Sequence, residues 1–508
     1  MTTLRSAALG ALVLLAAKTP SAIGQGGYAR DGTRNAPTEE LRSNAGAADR
    51  TTVELGSRLR GFLHGLVRNG QWGAMVVSLD RGDTLFAENA TVPLAPASTL
   101  KLYTSALAFD WLGVDYRFET QVYRTGIVDS QGTLHGDLVL RGNGDPSLSP
   151  RFFGGDPNAP MRELARQVVA AGIRRIRGSL LGDDGAFEPK AIPDGWLDRY
   201  LHASYAARIS ALSLNENLVR VVVSPGASNQ TPLVRLEPAT TYFAVVNSAT
   251  TVSGQRRAEL SVSLSSERII SVRGWMGSAA QPRVYVLVVP DPSAFTTGAF
   301  AAALKAAGIA IEGAIGRGRT PPGAVRVAAI ASPPLVQLAT AMNRESINHI
   351  AELLFRNAAR VASPAGVGSA SLGNAVLKDF VLLRLGGSPE EVYAADGSGL
   401  STLNRLTARA LVQLLAYADR APWGSAFHAT LPVAGRDETL RLRMRRTPAQ
   451  GNLHAKTGTT AEVAALSGYV ESRNGERLAF ALIYNGKDRL RARQAIDSVG
   501  VALARFAR

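Results

Sequence analysis

The chain has 508 residues, of which 46% are hydrophobic and 19% charged. This length predicts two or three domains, and this composition excludes fibrous and wholly disordered proteins. The net charge of +15 comes from 49 arginines and only 7 lysines, spread along the sequence without aromatic clusters, which argues against nucleic acid and favours peripheral contact with an anionic envelope.

The N-terminus has the pattern of an export signal. Arg5 precedes an apolar run at 7–17, Lys18 ends that run, and 22–24 (AIG) offers a small-x-small cleavage site. Eleven apolar residues are too few to span a bilayer, which needs about 20. We therefore predict a signal peptide at 1–24, a flexible leader at 25–50, and an exported, periplasmic protein.

Both ends of the remaining chain predict parts of one sheet with helices packed on it, which is an α/β (α+β) arrangement. Alternating and apolar runs predict strands at 72–79, 84–87, 464–471 and 477–484, and helices at 98–112 and 488–507. These two ends form the predicted catalytic domain, at 51–117 and 331–508.

The middle of the chain is richer in strands and in Gly/Pro loops. Strands are predicted at 219–226, 259–266 and 283–290, and a helix at 161–173. We interpret this region as an insertion into the catalytic domain. Its predicted parts are an inserted domain at 118–141 and 206–330 and a nested smaller domain at 142–205.

Ser98 and Lys101 form an S-x-x-K pattern at the start of the predicted helix. Residues three apart share a helix face, so the Lys101 amine can reach the Ser98 hydroxyl. Serine needs a base to become a nucleophile, and a lysine shielded from water has a lowered pKa and can be that base. Arginine cannot take this role, so a lysine here is informative in an arginine-rich chain.

Two further motifs follow in order along the chain. Ser346, Ile347 and Asn348 form S-x-N and are predicted to open a helix at 346–362, where Ser346 can relay a proton and Asn348 can hold a substrate amide. Lys456, Thr457 and Gly458 form K-T-G before two predicted strands. A strand there can lie along a peptide and present a cation to its terminal carboxylate.

S-x-x-K, S-x-N and K-T-G in this order resemble the penicillin-binding proteins and serine β-lactamases. The flanking blocks resemble the D-Ala-D-Ala carboxypeptidase/endopeptidase family of low-molecular-mass penicillin-binding proteins, the penicillin-binding protein 4 (DacB, peptidase S13) type. These blocks lie at 96–105, 141–149, 209–226, 342–354, 396–401, 431–440 and 454–470. The family has a similar long insertion between the first two motifs, whereas β-lactamases have a far shorter one.

The resemblance implies a serine DD-peptidase that acts on peptidoglycan stem peptides and crosslinks through an acyl-serine, and that binds β-lactam antibiotics covalently. Ser98 is the implied nucleophile and Lys101 its base. The backbone N–H groups of Ser98 and Thr459 would form the oxyanion hole, and Lys456 and Thr457 would bind the substrate carboxylate.

The segment at 182–187 (GDDGAF) resembles the stretch with which relatives hold the distal amine of the stem peptide. Asp183, Asp184 and Phe187 are the candidates, and a plain structural turn is an equal alternative.

Three positions depart from the family pattern. Ile347 replaces the usual Asp of S-x-N, Glu438 replaces a Gly, and Thr402 stands where relatives have an arginine that lines the substrate pocket. Arg405 is a candidate substitute for that arginine, and the side-chain specificity of the site is therefore open.

Two other functions fit the same motifs: a β-lactamase or esterase, and a binding protein that has lost catalysis. No Glu-x-x-Leu-Asn deacylation segment is present, and the intact motifs argue against the binding protein. The chain has no cysteine, and its six histidines are far apart, so we expect neither a metal nor another cofactor.

Overall fold

The computed structural model describes residues 50–364 and 366–508, so the predicted signal peptide and nearly all of the predicted leader lie outside the described residues. Both chain ends join in one antiparallel sheet, as predicted. Its strands are β1 (Gln71–Ser78), β2 (Thr84–Glu88), β21 (His454–Thr459), β22 (Val463–Glu471) and β23 (Arg477–Asn485), in the order β2-β1-β23-β22-β21. The edge position of β21 leaves the K-T-G strand open to a peptide on one side.

Helices cover both faces of this sheet because its central strands are apolar on both sides. On one face, Ala74 and Val76 of β1 pack in a core with helices α1 (Arg50–Leu66) and α10 (Arg489–Arg505). On the other face, Val77 packs in a larger core with the remaining helices of this half. Those helices are α2 (Lys101–Leu112), α5 (Leu335–Glu345), α6 (Asn348–Ala362), α7 (Ala370–Leu383), α8 (Ala408–Arg420) and α9 (Gly424–Thr430), with a short hairpin of β19 (Val392–Tyr393) and β20 (Arg405–Leu406) beside them.

The insertion between α2 and α5 contains four further sheets around its own apolar core. Its elements are β3 (Glu119–Arg124), β4 (Ile127–Val128), β5 (Thr133–His135), β6 (Leu138–Arg141), α3 (Ala159–Ala170), β7 (Arg175–Ile176), β8 (Leu180–Asp183), β9 (Leu218–Ser224), β10 (Leu233–Glu237), β11 (Ala244–Asn247), β12 (Thr250–Val252), β13 (Ala258–Leu264), β14 (Ile269–Gly277), β15 (Arg283–Val288), α4 (Pro292–Ala306), β16 (Ala310–Ile311), β17 (Ile315–Arg317) and β18 (Val325–Ala331).

Strand pairing divides the insertion differently from the predicted nested segment at 142–205. That segment supplies β7 and β8, which pair with β5 and β16 and with β6 and β17 respectively. Within the described residues, it is the strands of 218–288 that pair only with one another. The nested part that this pairing supports is therefore 218–288, and the domain boundaries themselves stay a proposal.

No helix in the described part of the chain is both long and apolar enough to cross a membrane.

Candidate active site

Ser98 lies in a tight turn where the chain enters α2. The predicted helix at 98–112 begins as a 3₁₀ turn over Ala97–Leu100, and the α-helix starts only at Lys101. Ala97 has a φ of 46°, a left-handed conformation that is uncommon for a residue with a side chain. The turn leaves Ser98 half-buried and its Oγ 3.0 Å from the Lys101 amine. The predicted contact between these two side chains is present.

The Lys101 amine is completely buried and has three oxygen neighbours. Besides Ser98 Oγ, it donates to Asn348 Oδ1 at 2.7 Å and to the Ser398 carbonyl at 2.6 Å. Burial lowers the pKa of Lys101 to about 7, against the opposing effect of the Asp396 and Glu352 carboxylates. A lysine with this pKa is part neutral at physiological pH and can accept a proton.

Ser346 and Asn348 lie where two helices meet rather than inside one. The prediction that Ser346 opens the helix is wrong: α5 ends at Glu345, Ser346 is left-handed with a φ of 62°, and α6 begins at Asn348. This break turns the two side chains towards two different lysines, because Asn348 bonds Lys101 and Ser346 Oγ accepts from Lys456 Nζ at 2.9 Å.

Strand β21 carries the K-T-G motif along the edge of the cleft. Lys456 is fully buried, and its amine also reaches the Thr457 carbonyl at 3.1 Å. Burial, with the charge of Lys101 adding to it, lowers the pKa of Lys456 well below its usual value. Gly458 permits the close approach of strand and turn, since a Cβ there would lie 2.5 Å from the Pro96 carbonyl oxygen. Thr459 is exposed at the end of the strand.

The loop at 396–401 lies beneath the Ser98 turn. Gly399 has a φ of 84°, and a side chain on it would overlap the Ala97 carbonyl oxygen. The buried Asp396 organises the loop by accepting from the backbone N–H groups of Gly399 and Ser401 at 2.8 and 2.7 Å. This arrangement aims the Ser398 carbonyl at Lys101.

The insertion also contacts the motif residues through a loop at 190–205. Trp196 Nε1 donates to Asp396 Oδ2 at 2.8 Å, and Asn348 Nδ2 donates to the Tyr205 carbonyl at 2.8 Å. Farther along α6, Asn357 Nδ2 donates to the Gly144 carbonyl at 3.0 Å. The insertion thus fixes the helix that carries Asn348.

A buried ion pair lies behind the cleft. Glu352 and Arg356, one turn apart on α6, are joined by a bond of 2.6 Å and are essentially inaccessible to solvent. The other Glu352 oxygen accepts from the Gly397 N–H at 3.0 Å. Burial raises the pKa of Glu352, and the charge of Asp396 adds to that rise, while Arg356 opposes it.

The candidates at 182–187 have protein partners. Asp183 is buried and accepts from Thr320 N at 2.8 Å, Thr320 Oγ1 at 2.7 Å and Gly185 N at 3.0 Å, and Asp184 pairs with Arg317 at 3.4 Å. Phe187 is 3% exposed in an apolar cluster that includes Leu353 and Trp196. These contacts favour the alternative of a structural turn, and an amine-binding role for the three residues stays a prediction.

The three departures from the family pattern lie in different settings. Ile347 packs against the main core, which suits an apolar residue, and Glu438 is exposed at the start of a short 3₁₀ turn. Thr402 bonds the Gly195 carbonyl through both its N–H and its hydroxyl, each at 3.1 Å. Arg405 is directed to the carbonyls of Thr402 and Asn404, each at 2.8 Å.

The motifs predicted the five motif residues of the site, but they did not predict the neighbouring groups that hold those residues in position. Asp396 and Ser398 lie inside the block at 396–401 (DGSGLS), but the resemblance of that block implies no role for either residue. Glu352 and Trp196 carried no sequence signal, because a helical acid and an isolated tryptophan are common in any chain.

Known proteins match this chain over most of its length. A model of the D-Ala-D-Ala carboxypeptidase 3 (S13) family matches residues 64–506. A D-alanyl-D-alanine carboxypeptidase from Actinomadura sp. (strain R39) is 33% identical over 450 residues, covering 86% of this chain and 81% of its own. D-alanyl-D-alanine carboxypeptidase DacB from Haemophilus influenzae is 26% identical over 424 residues, covering 82% and 85%.

The crystal structure of penicillin binding protein 4 (dacB) from Haemophilus influenzae has the same fold, with a TM-score of 0.73 at 22% identity, covering 88% of this chain and 99% of its own. The predicted family and the predicted α/β fold are thereby confirmed. The chain belongs to the D-Ala-D-Ala carboxypeptidase 3 (S13) family and is a hydrolase of the serine peptidase class.

Proposed function

We propose that this protein cleaves the terminal D-Ala-D-Ala bond of peptidoglycan stem peptides, and the equivalent bond in crosslinks, through an acyl-Ser98 intermediate. The observation that supports this most directly is the position of the buried Lys101 amine, between Ser98 Oγ at 3.0 Å and Asn348 Oδ1 at 2.7 Å. Its relatives in Actinomadura and Haemophilus influenzae are named D-alanyl-D-alanine carboxypeptidases.

Acylation begins with proton transfer from Ser98 to Lys101. A neutral lysine has two N–H donors and one lone pair. Asn348 Oδ1 and the Ser398 carbonyl take the two donors, which leaves the lone pair for the Ser98 hydroxyl proton. Ser98 Oγ then attacks the carbonyl carbon of the penultimate D-Ala, and the backbone N–H groups of Ser98 and Thr459 stabilise the oxyanion. Each such donor contributes on the order of 3 kcal/mol in comparable hydrolases.

The leaving D-Ala needs a proton on its nitrogen and a cation for its carboxylate. Lys456 and Thr457 bind the carboxylate. The negative charge of this carboxylate favours the protonated form of Lys456, which burial alone disfavours. Ser346 donates its hydroxyl proton to the departing amine and is reprotonated by Lys456, whose Nζ lies 2.9 Å from its Oγ. The proton that Lys101 took from Ser98 then restores the charge of Lys456. The C–N bond breaks and D-Ala leaves as an amine. Water then attacks the acyl carbon and gives a proton to Lys101. The bond from that carbon to Ser98 Oγ breaks, the shortened peptide leaves as a carboxylate, and Lys101 returns the proton to Ser98 Oγ.

β-Lactams enter the same site as covalent inhibitors, and a related penicillin binding protein 4 was crystallised in complex with one. The β-lactamase alternative requires rapid hydrolysis of that acyl-enzyme. We expect slow hydrolysis instead, because the sequence has no Glu-x-x-Leu-Asn segment that could activate the second water.

The setting of this activity is the periplasm. The export pattern at 1–24 would deliver the chain there, where its peptidoglycan substrate lies. The chemistry assigned to Ser98, Lys101 and Lys456 is complete without a metal or other cofactor.

The central test is labelling with fluorescent penicillin followed by digestion of purified muropeptides. The wild-type chain should be labelled stably and should release D-Ala or split crosslinked dimers, which mass spectrometry identifies. Ser98→Ala should do neither, whereas Ser253→Ala, an exposed serine outside the cleft, should behave as wild type. A labelled Ser98→Ala variant would show that another residue is the nucleophile. Rapid loss of label from the wild type would favour the β-lactamase.

A further inference from the structure

Two segments of the chain carry a dense positive charge that the peptidase chemistry does not use. They are 436–446 and 487–493, which we call the basic face. Nine of their residues are Lys or Arg and three are Asp or Glu, so they supply six of the fifteen net positive charges of the whole chain. Charge this dense on a protein surface attracts an anionic partner.

The fold brings the two segments side by side on the outer layer formed by α1 and α10. Arg443 bonds Asp497 of α10 at 2.6 and 2.8 Å. Met444 lies against the same helix, since a Cβ on Gly500 would be 3.0 Å from its sulfur. Leu490 precedes Asp497 by seven residues and so lies on the same helix face, about 10 Å along the axis.

Exposed leucines stand among these arginines. Leu442 is 69% exposed and Leu490 is 61% exposed, although the neighbours Leu440 and Met444 are buried in the core. The chain therefore anchors the segment at 440 and 444 and presents Leu442 outwards between them. Single exposed leucines occur elsewhere on this protein, but Leu442 and Leu490 differ from those in lying among arginines on one face.

The arginines around the two leucines are free to contact a ligand. The arginines of the basic face that are exposed to solvent and have no ion-pair partner among the described residues are Arg436, Arg441, Arg445, Arg446, Arg491 and Arg493. Arg443 is not free, because it forms an ion pair with Asp497 and thereby holds the two segments together.

We propose that the basic face binds the surface of an anionic phospholipid membrane, with Leu442 and Leu490 inserted among the acyl chains and the free arginines on the lipid phosphates. Basic residues surrounding a few outward apolar side chains are the usual composition of a peripheral membrane surface. A soluble or wall-bound polyanion would use the arginines but has no place for the leucines, so their exposure favours the membrane.

Membrane binding at this face leaves the cleft free. The core that contains α1 and α10 lies on the opposite face of the sheet from the core that contains α2. Ser98, at the start of α2, would therefore face away from the bilayer. Substitutions on the basic face should leave the peptidase reaction on soluble substrates intact.

The test is co-sedimentation with vesicles of phosphatidylcholine alone and of phosphatidylcholine with 30% phosphatidylglycerol. We use the processed chain, from residue 25 onwards, so that the apolar run at 7–17 cannot itself insert. The wild type should bind the anionic vesicles and be released by high salt, because the interaction is screened. The variant Arg441→Gln/Arg445→Gln/Arg446→Gln should bind about 100-fold more weakly, and Leu442→Ser/Leu490→Ser about tenfold.

Matched controls carry equal changes elsewhere. Arg256→Gln/Arg257→Gln/Arg283→Gln removes three exposed arginines from the insertion, and Leu233→Ser/Leu383→Ser removes two exposed leucines. Both should bind vesicles as the wild type does, and all variants should react with fluorescent penicillin at the wild-type rate.

Three results would overturn the proposal. The first is equal sedimentation with neutral and anionic vesicles. The second is an equal loss of binding in the control variants, which would indicate net charge rather than a defined face. The third is unchanged vesicle binding by the leucine variant together with equally tight binding to polyphosphate, which would assign the face to a polyanion.

Discussion

The cleft and the turn at 182–187 both hold charged side chains away from solvent, but they satisfy them differently. In the cleft, Lys101 and Lys456 donate only to uncharged oxygens, and neither has a carboxylate within ion-pair distance among the described residues. In the turn, Asp183 has three close donors and lies 3.2 Å from the Arg319 guanidinium.

The pKa values follow this difference. Burial lowers the pKa of both lysines, which have no direct counter-charge to restore it. Burial acts to raise the pKa of Asp183, but the donors from Thr320 and Gly185 outweigh it and hold the pKa below its usual value. A buried group left without a counter-charge is available for proton transfer, whereas a saturated one keeps its charge and fixes the backbone.

The largest expected effect is that of Lys101→Arg. The variant keeps a cation beside Ser98 but removes the base, because arginine does not deprotonate at any working pH. Acylation by penicillin should fall by about 10³-fold, within the range that a general base contributes. Stopped-flow labelling measures the rate, and Lys378→Arg, which lies outside the cleft on α7, is the control. A rate within about tenfold of wild type would mean that another group takes the proton.

The second effect is the pH dependence of acylation. The base must be neutral, and the pKa of Lys101 is about 7, so the rate should fall as the pH drops below 7 and level off above it. The slope should approach about tenfold per pH unit. Labelling rates from pH 5 to 9, with circular dichroism at each pH to verify folding, give the profile.

The variant Asp396→Asn tests whether this pH dependence reports the titration of Lys101. The Asp396 charge opposes the lowering of the Lys101 pKa, so its removal should shift the midpoint of the profile to lower pH. An unchanged midpoint would contradict the assignment of this titration to Lys101.

Local sequence patterns predicted the motif residues of the cleft better than the residues and turns that hold them in place. The three-residue spacing of Ser98 and Lys101 survives although the turn is 3₁₀, because both conformations bring the two side chains together. The left-handed Ser346 was not predictable, since serine is not a residue type that favours this conformation. The strand pairing of the segment at 142–205 was not predictable, because β7 and β8 have two and four residues, too few for an alternating pattern.

The position of positive charge on the surface could not be predicted from the sequence either. The arginine excess is spread when counted along the chain, yet folding joins two segments about fifty residues apart into the basic face. Separation along the sequence does not reveal such a surface, whereas the contacts of Arg443 with Asp497 and of Met444 with Gly500 do.

The third effect concerns the contact between the insertion and the cleft. Trp196→Phe removes the donor to Asp396 while keeping an aromatic ring, and the loop at 396–401 should become less well fixed. Penicillin acylation should slow by about tenfold, in line with one lost hydrogen bond to a buried carboxylate. The pH midpoint should stay near 7. Trp111 is a partly exposed tryptophan at the end of α2, and Trp111→Phe should leave the rate of penicillin acylation unchanged.

The smallest kinetic effect is expected in the turn. Asp183→Asn loses one of the oxygens that accept from Thr320 and Gly185, so the free energy of unfolding should fall by about 1–3 kcal/mol. The kcat/KM ratio between stem peptides with and without a side-chain amine should change less than twofold, because the carboxylate is already saturated. Urea denaturation and product analysis measure the two quantities.

Penicillin lacks the side-chain amine and is the control substrate for Asp183→Asn. A selective loss for amine-bearing peptides, with normal penicillin acylation, would instead assign Asp183 to the substrate and make this turn part of the cleft.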